Sequence, residues 1–172
     1  VVLSRGLGDV YKRQVMGELT QLSCDNQNGD VDGTGSLDVL DVVAIVGHVL
    51  GTSILGDAAC IADVNVDGNV DVLDVVAVVQ TILGGRGQEA TSASFTKNDE
   101  GMVMSSDGVV GAVQITLSHG SDFSIELTKD AFVAESHTEG NTTTLIVVNP
   151  NEEIFSAAAV SYTHLTLPTI SD

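Results

Sequence analysis

Apolar residues follow two different periods along the chain. In Val42–Leu50 and Val75–Leu83 they run almost without interruption, and each run ends at a glycine, Gly51 or Gly84. Glycine is common just past the C-terminus of a helix, so each run predicts a helix. From residue 94 onward, apolar and polar residues alternate with period two, which predicts strands with one buried face. The runs that predict strands are 113–117, 123–127 and 143–148.

The loops between these runs complete the predicted fold. Residues 117–122 and 137–141 are rich in turn-forming residues and are predicted to separate the strands. We therefore expect an α plus β protein of two small modules. A pair of loop–helix units fills residues 24–86, and an antiparallel β-sandwich-like region fills residues 94–160. The second region is shorter than the roughly 100 residues of a seven-strand sandwich, so we expect it to be truncated.

Several segments are expected to lie outside these two modules. Residues 52–62 form a linker that has room for a short helix of its own, and the small, polar residues 85–94 form a second linker. Residues 1–14 and 161–172 resemble translated sequencing-adapter read-through, so we set them aside for fold prediction.

Each predicted helix follows an acidic loop, and the two loops are copies of each other. Residues 30–50 align with residues 63–83, and the sequence VLDVVA is identical in both. Oxygen-bearing side chains occupy alternate positions, a glycine stands at the sixth position and an acid closes the loop at the twelfth. Ca²⁺ needs six to eight oxygen ligands in this kind of arrangement. The predicted ligands are Asp30, Asp32, Thr34, Ser36, Asp38 and Asp41 in the first loop, and Asp63, Asn65, Asp67, Asn69, Asp71 and Asp74 in the second, with Ser36 and Asn69 acting through their backbone carbonyls.

The two loops differ from the full EF-hand pattern in two respects. Both close with aspartate (Asp41 and Asp74) where the pattern has glutamate, and Thr34 provides a neutral hydroxyl at the fifth position. We expect two calcium ions, with the first loop binding more weakly than the second. For a single loop, the alternative is an acidic, solvated turn without a metal ion.

The charge of the chain is strongly negative. Its 24 acidic and 6 basic residues give a net charge of −18, and no lysine or arginine lies between Arg13 and Arg86. Such a surface repels nucleic acid and anionic membranes, so neither is an expected partner. No apolar run is long enough to span a membrane. Because the acidic loops lack basic neighbours, cations are expected to supply the missing positive charge.

One cysteine precedes each acidic loop. Cys24 and Cys60 predict a disulfide between the two halves, and hence an extracellular or cell-surface location. The alternative is a pair of small, buried thiols.

The duplicated loop–helix unit in residues 24–86 resembles the dockerin family. The resemblance implies two calcium ions, a pseudo-twofold pair of antiparallel helices and a cohesin-like β-sandwich partner. It also implies an extracellular role in tethering polysaccharide-degrading proteins, with carbohydrate contacted only indirectly. Many dockerins carry a hydroxyl pair at the tenth and eleventh loop positions, which meets the cohesin. Here those positions are apolar, so we expect apolar recognition, in either of two orientations, through Val39, Leu40, Val72 and Leu73.

No catalytic motif is found in the sequence, so we do not expect an enzyme. His119 and His137 are predicted to be surface histidines in turns. The leading hypothesis is a calcium-dependent binding module of a secreted protein. The alternative is a calcium-stiffened spacer of an adhesin-like surface protein. A third hypothesis is a fragment of a polysaccharide-degrading enzyme whose catalytic domain lies outside this chain.

Overall fold

The computed structural model describes residues 27–85, 88–98, 101–158 and 165–166. Helices come first and strands follow, and the named strands pair antiparallel in two sheets, so the predicted α plus β class is confirmed. The helices are α1 (Val39–Val49), α2 (Ala59–Ala62) and α3 (Val72–Leu83), with a 3₁₀ turn at Gly56–Ala58. The strands are β1 (Ala93–Lys97), β2 (Gly101–Ser106), β3 (Ala112–Ser118), β4 (Ser124–Leu127), β5 (Val133–Glu139), β6 (Thr142–Val148), β7 (Glu153–Ala158) and β8 (Leu165–Thr166).

Both long helices begin and end where local chemistry dictates. Asp38 and Asp71 are the N-caps, and each accepts a hydrogen bond from a backbone N–H of the first helical turn. α3 ends at Gly84, whose φ of 71° is left-handed, and Gly51, with φ of 74°, follows the C-cap of α1. Glycine adopts this conformation at little cost, so the sequence stops each helix at that point. Both predicted helices are confirmed, as is the short helix expected between the loops.

The strands form two four-stranded sheets, in the orders β1-β2-β7-β4 and β5-β6-β3-β8. The predicted strands at 113–117, 123–127 and 143–148 are present as β3, β4 and β6. β8 belongs to the C-terminal segment that was set aside for fold prediction, and it pairs with Thr116 and Leu117 of β3.

One turn prediction is wrong. His137, Thr138 and Glu139 belong to β5, and only Gly140 and Asn141 form the turn to β6. The register pairs Glu139 with Thr142, which leaves a two-residue hairpin loop whose first residue has φ of 59°. β5 is an edge strand whose last three residues are exposed, so it lacks the apolar alternation of a half-buried strand.

The helices and the two sheets form three layers with two cores. β6 separates the cores because its side chains alternate between its two faces. Ile146 and Val148 pack with the helices and the acidic loops, whereas Leu145 and Val147 pack between the sheets. The loop–helix units therefore share a hydrophobic core with the β region. None of the described helices has the length and apolar character that a membrane crossing needs.

Candidate metal centres and partner surface

The first residue of each loop fixes the turn that follows it. The Asp30 carboxylate accepts hydrogen bonds from Thr34 N at 3.1 Å and from Gly35 N at 2.8 Å. Asp63 repeats both bonds with the equivalent residues of the second loop, each at 3.0 Å. Gly35 and Gly68 have φ of 82° and 92°, which glycine adopts readily. The two loops thus share the same backbone turn, as their matching register predicts.

The third loop position points its side-chain oxygen at the same turn. Asp32 accepts from Thr34 N at 3.0 Å, and Asn65 accepts from Asp67 N at 3.0 Å. The N–H of Thr34 lowers the pKa of Asp32, with a smaller contribution from the Thr34 hydroxyl. Asp32 therefore carries its charge in the neutral pH range, as a cation ligand requires.

The closing acids are fully buried and hold the loop ends together. Asp41 accepts hydrogen bonds from Val31 N at 2.9 Å, from Asp32 N at 3.3 Å and from Asp38 N at 3.0 Å. A carboxylate has about four lone-pair positions, so three such bonds leave room for a cation. Asp41 also completes a capping box with Asp38. The Asp-x-x-Asp spacing was the signal for this second role, which the sequence analysis missed.

Asp74 repeats this arrangement in the second loop. It accepts from Val64 N at 2.8 Å, Asn65 N at 3.1 Å and Asp71 N at 2.9 Å. Burial raises the pKa of Asp74, and the N–H donors oppose that effect. A buried carboxylate without a nearby basic residue is stabilised by a bound cation.

Three of the candidate ligands of the first loop lie close together. Asp30, Asp32 and Asp41 each place a carboxylate oxygen within 4.8 Å of the other two. The Thr34 hydroxyl lies 3.3 Å from the Ser36 carbonyl oxygen, which brings the fifth and seventh positions together. Neighbouring ligands of a calcium ion lie about 3–3.5 Å apart, given metal–oxygen distances of 2.3–2.6 Å. Every candidate ligand atom in this set is an oxygen, the donor type that hard cations such as Ca²⁺ prefer.

The second loop carries a charged residue at the fifth position. Asp67 accepts from Asn69 N at 2.8 Å and from Asn65 Nδ2 at 3.0 Å. The Asn69 N–H, followed by the Asn65 side chain, lowers the pKa of Asp67. Thr34 occupies this position in the first loop, so at the fifth position the second loop carries a negative charge that the first loop lacks.

The aspartate at the ninth loop position, Asp38 or Asp71, is also the N-cap of the helix that follows. Asp38 Oδ1 accepts from Leu40 N at 2.7 Å, and Asp71 Oδ1 accepts from Leu73 N at 2.8 Å. Each side chain also accepts from the backbone N–H of the third helical residue, so a cation at this position would be reached most readily through a bound water. A water-mediated ligand is common at this position of calcium loops.

Backbone strain distinguishes the two loops at the fourth position. Val66 has φ of 62°, and its counterpart Gly33 has φ of 69°. Glycine adopts this region freely, but a β-branched residue does so at a cost of roughly 1–2 kcal/mol. The second loop therefore adopts the same turn as the first with a less suitable residue.

The four predicted partner residues do not share one environment. Val39 is 41% exposed, Leu40 61% and Leu73 53%, whereas Val72 is half-buried against the helix core. Val43, four residues after Val39 on the same helix, is 40% exposed. Residues at this spacing are neighbours on a helix surface, so Val43 extends the exposed apolar surface of Val39 and Leu40.

The cysteines and histidines give a mixed outcome. Cys60 is disulfide-bonded, but Cys24 lies outside the described residues, so the pairing with Cys24 stays a prediction. His137 is exposed but lies on β5, so its placement in a turn is wrong. His119 is half-buried: its ring stacks on Phe123 with centroids 3.9 Å apart, and its Nε2 lies 2.8 Å from the Thr143 hydroxyl.

Comparisons with known proteins complete the description of the site. No family model matches the chain, and no curated protein and no solved structure matches it either.

Proposed function

We propose that the chain is a calcium-dependent protein-binding module of the dockerin type, which tethers or assembles a secreted protein. The observation that supports this most strongly is the repeated loop scaffold. Asp30 and Asp63 make the same two backbone bonds, and the buried acids Asp41 and Asp74 make the same three. Because the two loops have the same scaffold and all their candidate ligand atoms are oxygens, we infer that both bind the same kind of cation.

Calcium would act on the folding of the loops and not as a chemical catalyst. Each loop crowds several carboxylates together, and the sequence offers no basic residue nearby. Without a cation these charges repel one another, so ion binding and loop ordering are coupled. The ordered loop then fixes the first turn of α1 or α3, because Asp38 and Asp71 belong to both the loop and the helix cap.

The partner would be a cohesin-like β-sandwich protein. Exposed apolar residues at the tenth and eleventh loop positions, Val39 and Leu40, support a surface that a folded protein covers. The secreted protein that carries this module would be one that degrades polysaccharides, with carbohydrate reached only through other domains. The proposed location is extracellular or on the cell surface.

Calorimetric titration with CaCl₂ on the full chain tests the metal sites. We expect two binding events, and circular dichroism should show helix content that falls when a chelator removes the ion. Asp41→Asn and Asp74→Asn keep the shape of the buried side chain and should each abolish one event. MgCl₂ serves as a control, because Mg²⁺ demands a smaller, stricter octahedral site. No heat of binding, together with unchanged helix content in chelator, would exclude the proposal.

A second function is favoured by the shared core. Val133, Ile146 and Val148 of the β region pack with the helices, as a rigid spacer requires. In that function, calcium stiffens the junction between this sheet and a neighbouring domain of an adhesin-like surface protein. Calcium binding without affinity for any cohesin module would favour the spacer.

A further inference from the structure

The two loop–helix repeats are alike in sequence, but the rest of the chain covers α3 more than it covers α1. Val76 of α3 is the counterpart of Val43 of α1, and it lies against Gly111 at the start of β3. A Cβ built on Gly111 would stand 2.6 Å from Val76 Cγ1, so the Gly111 backbone lies directly against the Val76 side chain and leaves no room for a side chain of its own. Gln80, one turn further along α3, donates to the Glu89 carboxylate at 2.9 Å. Gly111 and Glu89 thus cover the part of the α3 surface that lies C-terminal to Val72 and Leu73.

The remaining part of that face borders a half-open cavity. The cavity has a volume of about 550 Å³ and lies between α3 and the strands. Leu73, the exposed member of the second pair, lines it together with Val76, Leu83, Phe95, Val109 and Gly111. A folded domain that docks on Leu73 would therefore also have to pass the strand residues on the other side of this cavity.

Within the part of the chain that the structure describes, the equivalent face of α1 has no such cover. Val39, Leu40 and Val43 are between 40% and 61% exposed, and Ile54 is 87% exposed. Ile54 follows Ser53, whose Oγ would stand 2.7 Å from a Cβ on Gly47, one turn beyond Val43. We call Val39, Leu40, Val43 and Ile54 the open face. Among the described residues, four of the seven large exposed hydrophobics belong to it, and two of the other three, Leu73 and Val109, line the cavity.

Charge indicates which partner fits the open face. Asp57 near Ile54 is exposed, and the adjoining loop has four carboxylates (Asp30, Asp32, Asp38 and Asp41), two more than one calcium ion neutralises. The chain carries a net charge of −18. A partner that buries this face therefore needs an apolar centre bordered by lysine or arginine, which also speeds its association at low salt.

We propose that the open face of the first repeat is the single docking surface, and that the β region blocks the second repeat. The inference rests on the proposed function, and its occupant is a cohesin-type β-sandwich protein with a basic rim. Of the two orientations that the identical Val-Leu pairs allow in principle, only the one through α1 remains. The β region thereby sets the orientation in which the chain is tethered.

Leu40→Gln and Leu73→Gln form a matched pair of variants for the test. Both residues stand at the same position of equivalent helices and both are more than half exposed, so neither substitution should prevent folding. Binding of the full chain, in CaCl₂, to a panel of immobilised cohesin modules is then measured by surface plasmon resonance. We expect Leu40→Gln to weaken binding by about tenfold or more, as truncation of a central apolar contact does. Leu73→Gln should change it less than about twofold, and the association rate should fall as NaCl is raised.

Each other outcome overturns a defined part of this inference. Equal losses in both variants mean that both repeats dock, and a loss confined to Leu73→Gln means that the second repeat docks. Either result overturns the single surface while leaving the proposed function intact. If the wild-type chain binds calcium but no cohesin, the proposed function itself fails and the inference fails with it. Circular dichroism in CaCl₂ establishes that both variants are folded.

Discussion

Gly29 and Val78 interlock the two repeats. A Cβ added to Gly29 would lie 2.5 Å from Val78 Cγ2, and the φ of Gly29 is 83°. Gly29 N also donates to the Ile61 carbonyl oxygen at 3.1 Å, ahead of the second loop. The residue that leads into the first loop therefore packs directly on the helix that leaves the second. Since this contact depends on the absence of a side chain, it can be tested by adding one.

Gly29→Ala should destabilise the protein by about 2–4 kcal/mol, combining left-handed backbone strain with overpacking against Val78. Gly33→Ala is the matched control, because Gly33 has a similar φ of 69° but nothing within 4 Å of the added carbon. The control should cost only about 1–2 kcal/mol. Urea unfolding of both variants in CaCl₂ measures the difference, and equal losses would show that the contact with Val78 has no energetic weight. Adding Val78→Ala to Gly29→Ala should recover part of the loss.

Val66→Gly should stabilise the protein. Removing a β-branched residue from φ of 62° gains about 1–2 kcal/mol, and the extra freedom of glycine in the unfolded chain offsets about 0.5–1 kcal/mol of it. The net gain should be about 0.5–1 kcal/mol, seen as a higher urea midpoint with an unchanged slope. The reverse substitution at the equivalent position, Gly33→Val, should lower the midpoint. A lower midpoint for Val66→Gly would mean that the exposed valine makes a stabilising contact.

The loops and helices could be predicted from the sequence because their signals are local. Oxygen spacing, a glycine at the sixth position and a glycine after each apolar run lie within about twenty residues of one another. The apolar run of β6 likewise predicted a strand. The partners of these elements could not be predicted, because Gly29 meets Val78 and Gly111 meets Val76 only after folding. β5 was not predicted because the residues of its C-terminal half, Ser136–Glu139, are polar on both faces of the strand.

The two faces of β6 give a paired test of the layered architecture. Ile146 packs with the helices and Leu145 packs between the sheets, although the two are adjacent and both fully buried. Substitution of either by alanine should cost about 2–5 kcal/mol. Ile146→Ala should lower the hydrogen-exchange protection of α1 and α3 most, whereas Leu145→Ala should lower that of β2 and β7 most. Identical exchange patterns in the two variants would mean that the helices and the sandwich open as one unit.

Asp107 ties the start of β1 to the end of β2, and this link should fail in acid. Its carboxylate accepts hydrogen bonds from the Thr91 hydroxyl and from the backbone N–H groups of Thr91 and Ser92, both at 2.9 Å. The Thr91 hydroxyl, then the N–H of Ser92, lowers the pKa of Asp107 from 3.8 to about 2. A depressed pKa contributes stability that is present above the unfolded value of 3.8 and is lost as the pH falls through about 2.

Asp107→Asn isolates this contribution because it keeps the shape of the side chain and removes the charge. The wild type should have the higher melting temperature above about pH 4, and the two curves should converge below about pH 2. Carboxyl NMR should give the Asp107 midpoint directly. Thr91→Val removes the strongest donor and should move that midpoint upward, toward 3.8. A wild-type midpoint already near 3.8 would show that these hydrogen bonds do not favour the charged form, and the acid sensitivity would then have to arise elsewhere.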